Sequence, residues 1–393
     1  MIKNHKKTYY LVIIVFFIAG LTLRLIRAKH LDMFYGDNGI QLLQSERILK
    51  GEHPIGGEIS RIDKGSKNII HNSTIGLYFY TLVYLLGLKT PTGFLIIYLL
   101  LNLFSIYLLF KSACIIFSKT AGFFLTVFAL FNSTLISFNL WTSQSSKAII
   151  FDSLAIFIFT KYLKNKEYQH YLVLTFIFSF LATNLYSPMY LMFPIKIVFL
   201  IYLIRKIPNK KGVILSLILG LLLISAPLII QEAKTKANIN AVTGYFLENK
   251  LKENQKIFFD KKWFEIFFSY IKIIIQDVFP LLTWTKTSSI PWIKFLIALF
   301  LLYAIITYKN KSKLKTLGII SIFIIFPLIL ISSYCRLEYN SICPRPFQSI
   351  FIPYTLLLLG GLFSLLEHFQ KNKTNYWYNN YLSFYSKNSC CNL

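Results

Sequence analysis

Charge is scarce in this sequence, and negative charge is the scarcest. Only 15% of its 393 residues are charged, against roughly 25% in an average soluble domain. The hydrophobic fraction is 55% and the mean hydropathy +0.56. That leaves too little polar surface to cover a soluble globule, which excludes a soluble enzyme, a disordered chain and a coiled coil. Cysteine is also sparse. Cys114, Cys335, Cys343, Cys390 and Cys391 have no metal-ligand spacing. Cys335 and Cys343 share one short loop, where a disulfide or two free thiols fits equally. The ending Cys390-Cys391-Asn392-Leu393 has the outline of a prenylation box, but Asn392 suits its aliphatic position poorly. A multispanning chain needs no such anchor. The sequence has no phosphate-binding glycine-rich loop, no Walker motif and no ordered Ser/His/Asp set. His30, His53 and His71 lack the spacing of helix-borne metal ligands.

Long apolar runs are what the chain has in abundance. They cover roughly 8–27, 73–89, 93–110, 121–138, 148–163, 170–186, 189–206, 213–231, 291–308, 317–334 and 348–366. A more amphipathic run covers 263–282. Each full run approaches the ~20 residues that cross a bilayer. The first follows Lys3, Lys6 and Lys7 in the manner of a signal peptide. It lacks a small-residue cleavage site and further spans follow, so it reads as a retained helix. These features predict an all-α polytopic transmembrane bundle of about ten or eleven spans with extracytoplasmic juxtamembrane helices.

The net charge of +26 invites a nucleic-acid reading, but lysines collect in the cytoplasmic loops of membrane proteins, and no nucleic acid is expected. Lys3, Lys6 and Lys7 set the N-terminus inside. If every run crossed, the loops with Lys111 and Lys119, Lys161 to Lys166, Arg205 to Lys211 and Lys311 to Lys315 would all face out. Treating the short run 73–89, with Gly76 and Gly87, as non-crossing turns all of them inward. Both termini are then cytoplasmic, with a membrane domain over 1–366 and a cytoplasmic tail over 367–393. Of the 16 acidic residues only Glu167 and Glu367 fall inside. The outer face or its margin receives the other fourteen. Outside chemistry and the simple polarity of long outer loops explain this equally well. Three outer segments result: 28–72, 232–290 and 335–347.

Residues 40–49 alternate apolar Ile40, Leu42, Leu43, Ile48 and Leu49 with polar Gln41, Gln44, Ser45 and Arg47, as in a short helix lying on a membrane and stopped by Gly51. Asp37 is either its N-cap or a free carboxylate, since Asn38 with Gln41 makes the better capping box. Asp152 falls near the outer end of the 148–163 run. A carboxylate there has a function or a structural partner, for which Lys147, five residues earlier, is available. Arg336 and Arg345 flank the last outer loop with Glu338. Arginine's planar fork suits either a phosphate or a lipid headgroup.

These segments resemble the C-type polytopic glycosyltransferases, the group that includes protein O-mannosyltransferases and aminoarabinose transferases. The resemblance covers most of residues 8–366, through short motifs. A first helix ends in an arginine, here Arg24 or Arg27. An acidic motif then leads through a short helix to Gly-x-x-Pro, here Asp37-Asn38-Gly39 to Gly51-Glu52-His53-Pro54. His71 opens an aromatic apolar stretch that in this family packs near the outer face. Lys147 followed by Asp152, and Arg345-Pro346-Phe347 entering the last helix, match later motifs. The departures are Asn38 in place of a second acid, lysine rather than arginine at 147, and no Lys or Pro near 72.

The resemblance implies an enzyme that moves a sugar from a polyprenyl-phosphate donor to a glycan, lipid or protein acceptor at the outer face, with inversion. Asp37 would handle the acceptor hydroxyl with Asp152 assisting. Arg345, Arg336 and Lys147 would hold the donor phosphate, and His71, Glu338 and Asn38 would support the acceptor side. Membrane lipids would surround the spans. No cofactor follows from the residues, and a divalent metal stays an open option. The alternative is a non-enzymatic transporter or flippase of lipid-linked glycans, which would set polar residues deep in several spans and show related halves. Here ionisable groups are expected mostly at the outer edge. A sugar polymerase or ligase, sharing the outer arginines without the Asp37 loop, is a third reading.

Overall fold

A computed structural model describes residues 2–29, 37–52, 59–62, 69–71, 73–132, 135–136, 140, 144–186, 189, 192–208, 210–236, 261–278, 311–338, 352–365 and 367. Over these residues the chain is helical, as its apolar runs require. Twelve helices follow in order among the described residues. They are α1 (Ile2–Lys29), α2 (Asp37–Leu49), α3 (Ile75–Leu86), α4 (Pro91–Ile116), α5 (Lys119–Phe131) and α6 (Gln144–Lys164). Then come α7 (Gln169–Leu185), α8 (Phe193–Ile204), α9 (Lys210–Thr235), α10 (Lys261–Val278), α11 (Lys311–Glu338) and α12 (Ile352–Leu365). One small ribbon accompanies them inside the segment expected as the first outer loop. Its strands β1 (Ile59–Ile62) and β2 (Ile69–His71) are antiparallel, with Ile59 opposite His71. The run 291–308 lies outside the described residues.

Local chemistry sets several helix starts. Thr90 accepts a hydrogen bond from the Gly93 N–H, and Pro91 takes the first helical position of α4. Ser118 does the same for α5 through the Ala121 N–H. Three of the described helices are long and apolar enough to cross a membrane, at Thr8–Ala28, Pro91–Ile116 and Lys210–Lys234. Others are apolar but shorter. The 13 residues of α5 reach about 20 Å, less than a hydrocarbon core of ~30 Å.

Helix α4 occupies the centre, with α1, α3, α5 and α6 packed around it. Helix α7 lies along α6, α9 covers α7, and α10 packs on α11. In α10 the buried Trp263, Ile266 and Tyr270 fall on one helical stripe, while Phe264 and Phe268 point outward. Outward apolar faces recur, and Leu223 on α9 is 76% exposed. So much bare hydrocarbon suits lipid and not water, which makes this a membrane protein.

One end of the bundle is basic. The Tyr9 hydroxyl donates to the Lys119 carbonyl at 3.1 Å, joining the start of α1 to the α4–α5 turn. Ser118 and Thr120 donate to the Glu367 carboxylate at 2.8 and 3.4 Å. Gly361 of α12 lies against Leu317 and Phe117. Lys206 and Lys315 meet at Tyr202, and Lys166 lines the same cavity as both. The lysine-bearing turns therefore share one end, the arrangement expected from treating 73–89 as non-crossing. Helix α3 explains how. Its start lies by Lys147 and Leu185, and its last turn meets the start of α4, so both of its ends lie opposite the basic end.

At that opposite end Arg24 is fully buried. Its Nη1 donates to the Gly20 and Leu130 carbonyls at 3.0 Å each, and its Nη2 to Ala129 at 3.2 Å. A cation is well placed on the final carbonyls of α5, where the helix dipole is negative. Arg27 is exposed, so of the two arginines Arg24 is the one built into the bundle.

The α3–α4 corner is the tightest approach of all. A Cβ on Gly93 would lie 1.9 Å from the Gly87 carbonyl oxygen, and one on Gly87 would lie 2.4 Å from the Gly93 carbonyl carbon. Backbone cannot yield as a side chain can. Gly93→Ala should therefore cost at least the ~1–3 kcal/mol of an overpacked core, seen as a lower Tm of the detergent-purified chain. An unchanged Tm would mean the two helices are not in backbone contact.

Candidate functional site

Helix α6 carries both ionisable residues singled out in the 148–163 run, and it turns them to different sides. Five residues rotate the helix by about 140° and advance it about 7.5 Å. Lys147 and Asp152 therefore do not form the boundary pair that their spacing offered.

Lys147 is fully buried under α3. Its Nζ lies 4.3 Å from the centre of the Tyr80 ring, a cation–π contact. Gly76 makes room for it, since a Cβ there would meet Nζ at 2.7 Å. The α3 start is also tied to α7, through the Ser73 N–H donating to the Asn184 carbonyl at 3.4 Å.

Asp152 is 1% exposed. Its Oδ1 accepts from Lys196 Nζ at 3.2 Å and, weakly, from Ser179 Oγ at 3.5 Å. Lys196 Nζ also donates to the Ser179 carbonyl at 3.3 Å. The Tyr354 phenol of α12 faces the carboxylate, while Oδ2 is buried and accepts no hydrogen bond from the described residues. Helices α6, α7, α8 and α12 thus converge on one carboxylate. From it a cavity of about 790 Å³ runs to the basic end, where Lys166, Lys206 and Lys315 stand exposed. Phe159, Phe199 and Phe323 form much of its wall.

Lys196 is the residue that sequence reasoning missed. It stands in the middle of the apolar run 189–206, apart from Arg205 and Lys206 that close it, and an intramembrane charge signals a function or a partner. Its presence adds a buried ionisable group to those expected at the outer edge and gives the buried Asp152 its partner.

The remaining sequence-predicted residues belong to the other end. Asp37 is the first residue of α2 and Asn38 the second; their side chains lie outside the described residues. Because α2 starts at Asp37, Asn38 and Gln41 do not frame its beginning. Gln41 and Ser45 turn inward instead, both 1% exposed, and Glu46 accepts from the Tyr84 hydroxyl of α3 at 3.2 Å. Both polar atoms of the Gln41 amide are buried without a partner among the described residues. The apolar Ile40 and Leu43 face outward, 54% and 50% exposed, as a helix lying in a membrane interface would have them. His71 ends β2, and Arg336 and Glu338 fall in the last turn of α11; their side chains lie outside the described residues, as does the whole of Arg345. Among the described residues no three His, Cys, Asp or Glu side chains gather as a metal site.

Breaking the Asp152–Lys196 pair from one side should be costly. Asp152→Ala leaves a buried ammonium, worth about 3–5 kcal/mol of stability. Asp152→Leu combined with Lys196→Met removes both charges and should recover most of that loss in a detergent unfolding experiment. Additive losses in the double variant would show that the two groups are not coupled. No family model matches this chain, and neither a curated protein nor a solved structure matches it.

Proposed function

We propose that this chain is a multi-pass membrane glycosyltransferase. It would transfer a sugar from a polyprenyl-phosphate donor to a lipid, glycan or protein acceptor at the end opposite the lysines. By the positive-inside rule that end is extracytoplasmic and both termini are cytoplasmic. One observation carries the reading. The helix that starts at Asp37 packs on α3 with its polar face inward, and α3 is a short helix with both ends on that side. Four residues after Asp37, the buried Gln41 amide, which has no partner among the described residues, offers a donor and an acceptor to a polar ligand.

The chemistry asks little more. The acceptor oxygen attacks the anomeric carbon as its proton passes to Asp37. The bond from that carbon to the phosphate oxygen breaks on the opposite face, so the configuration inverts. The departing phosphate takes the electron pair and needs cations, for which Arg345 and Arg336 are the candidates. Lys147 adds positive charge from beneath α3. Asp152, paired with Lys196 inside the bundle, is left out of the displacement step.

A second reading has its own support. A carboxylate–lysine pair deep among helices, beside a cavity, is the kind of feature a transporter or flippase of lipid-linked glycans would use. One experiment separates the two. Surface glycolipids, polysaccharides and glycoproteins of a deletion strain are profiled by mass spectrometry, then again after rescue with the native chain or with Asp37→Asn. The transferase reading expects one missing sugar, restored by the native chain alone, with Asp37→Asn expressed at the normal level. Restoration by both chains would transfer the weight to transport.

A further inference from the structure

The cavity that leads to the basic end contains a group its own neighbours leave incomplete. Asp152 has one carboxylate oxygen satisfied by Lys196 and Ser179. The other is buried without a hydrogen bond from the described residues. Lys196 has already balanced the charge, so what this oxygen can take is a hydroxyl donor and not a second cation, and the Tyr354 phenol is a hydrogen-bonding neighbour of the same carboxylate. The Tyr354 phenol beside it and the Ser179 hydroxyl give the same floor groups that both donate and accept. Together they suit a hydroxyl-bearing ligand.

The mouth has the opposite character. Lys206 Nζ lies 2.5 Å from the Tyr202 hydroxyl, and Lys315 approaches the same side chain. Lys166 lines the cavity at this end too, with Glu167 as the opposing charge. A cluster with this excess of positive charge at the opening of a low-dielectric cleft draws in anions. Phosphate is the anion whose several oxygens can take two or three ammonium groups at once. Floor and mouth are close. Tyr202 stands six residues after Lys196 on the same helix, about 9 Å along its axis. Between them the wall is aromatic, with Phe159, Phe199 and Phe323, which suits the C–H surface of a small carbon skeleton.

We propose that this cavity binds a polyol phosphate, with the phosphate toward Lys206 and Lys315 and a hydroxyl donating to Asp152 Oδ2. A skeleton of a few carbons spans the distance. Inorganic phosphate reaches only the mouth, and a neutral polyol only the floor. The same chemistry is offered by a free polyol phosphate and by the glycerophosphate headgroup of a phospholipid. The proposal does not rest on the transferase reading, because Asp37 and the opposite end take no part in it.

The test uses the full chain purified in a neutral detergent and titrated calorimetrically with sn-glycerol 3-phosphate, with inorganic phosphate and glycerol as controls. A second arm measures retention of phosphatidylglycerol by native mass spectrometry. Tighter binding of glycerol 3-phosphate than of either control is expected. Lys206→Gln with Lys315→Gln, both at exposed positions that do not threaten the fold, should weaken it roughly tenfold. Asp152→Asn should weaken glycerol 3-phosphate while leaving the weak binding of inorganic phosphate alone. Should Asp152→Asn fail to fold, Ser179→Ala and Tyr354→Phe probe the same floor. Phosphatidylglycerol retained in a lysine-dependent way, without binding of the soluble ester, would identify the headgroup as the source. Equal affinity for inorganic phosphate and the ester, or no binding in either arm, would overturn the proposal.

Discussion

A carboxylate and an ammonium 3.2 Å apart inside an apolar bundle constrain everything around them. Neither charge can be left alone in that medium. Helix α6 must therefore keep its register against α8, and Ser179 must present both its hydroxyl and its carbonyl from α7. The close packing of α6 with α7 and of α4 with α6 follows the same axis. Helix α12 completes the ring through Tyr354, whose other neighbour, Phe323 of α11, stacks on it at 5.3 Å between ring centres. A charged pair contributes little net stability in such a place, but it tolerates few alternative arrangements of the helices that hold it.

The two ends of the bundle are built on different principles. The basic end is held by hydrogen bonds between turns, Tyr9 to Lys119 and Ser118 to Glu367. The opposite end is held by close backbone approach and by buried cations. Gly87 and Gly93 bring the end of α3 and the start of α4 into contact, Arg24 binds the last carbonyls of α5, and Lys147 rests on Tyr80. Arg24 and Lys147 at that end are enclosed, whereas Lys166, Lys206 and Lys315 at the basic end are exposed.

Much of this was legible in the sequence, for physical reasons that can be traced. Apolar runs mark helices because hydrocarbon length is readable, and α1, α4 and α9 follow the runs 8–27, 93–110 and 213–231 closely. Positive-inside counting marked 73–89 as the run least suited to cross, and both ends of α3 lie at the same end of the bundle. Partnerships were less readable. The spacing of Lys147 and Asp152 suggested a pair, but five residues is not a helical neighbour distance. The true partner, Lys196, is 44 residues away and is joined only by tertiary packing. The amphipathic pattern of α2 was legible, whereas the partner of its polar face was not. Gln41 and Ser45 went inward because α3 offers Tyr84 and a buried surface, while lipid takes Ile40 and Leu43. The small ribbon of β1 and β2 left no alternation strong enough to find, with only four and three residues.

The corner between Gly87 and Gly93 has a mechanical consequence. Helix α3 is fixed to α4 there by backbone against backbone, so it cannot slide along α4 without losing that contact. At its far end lie a 3.4 Å hydrogen bond from the Ser73 N–H to the Asn184 carbonyl and a lysine seated under Gly76. A rigid element fixed by backbone at one end keeps what freedom it has at the other. The end farthest from the glycines is the one covering Lys147, so the packing there alone decides how completely that buried charge stays sealed against the Tyr80 ring.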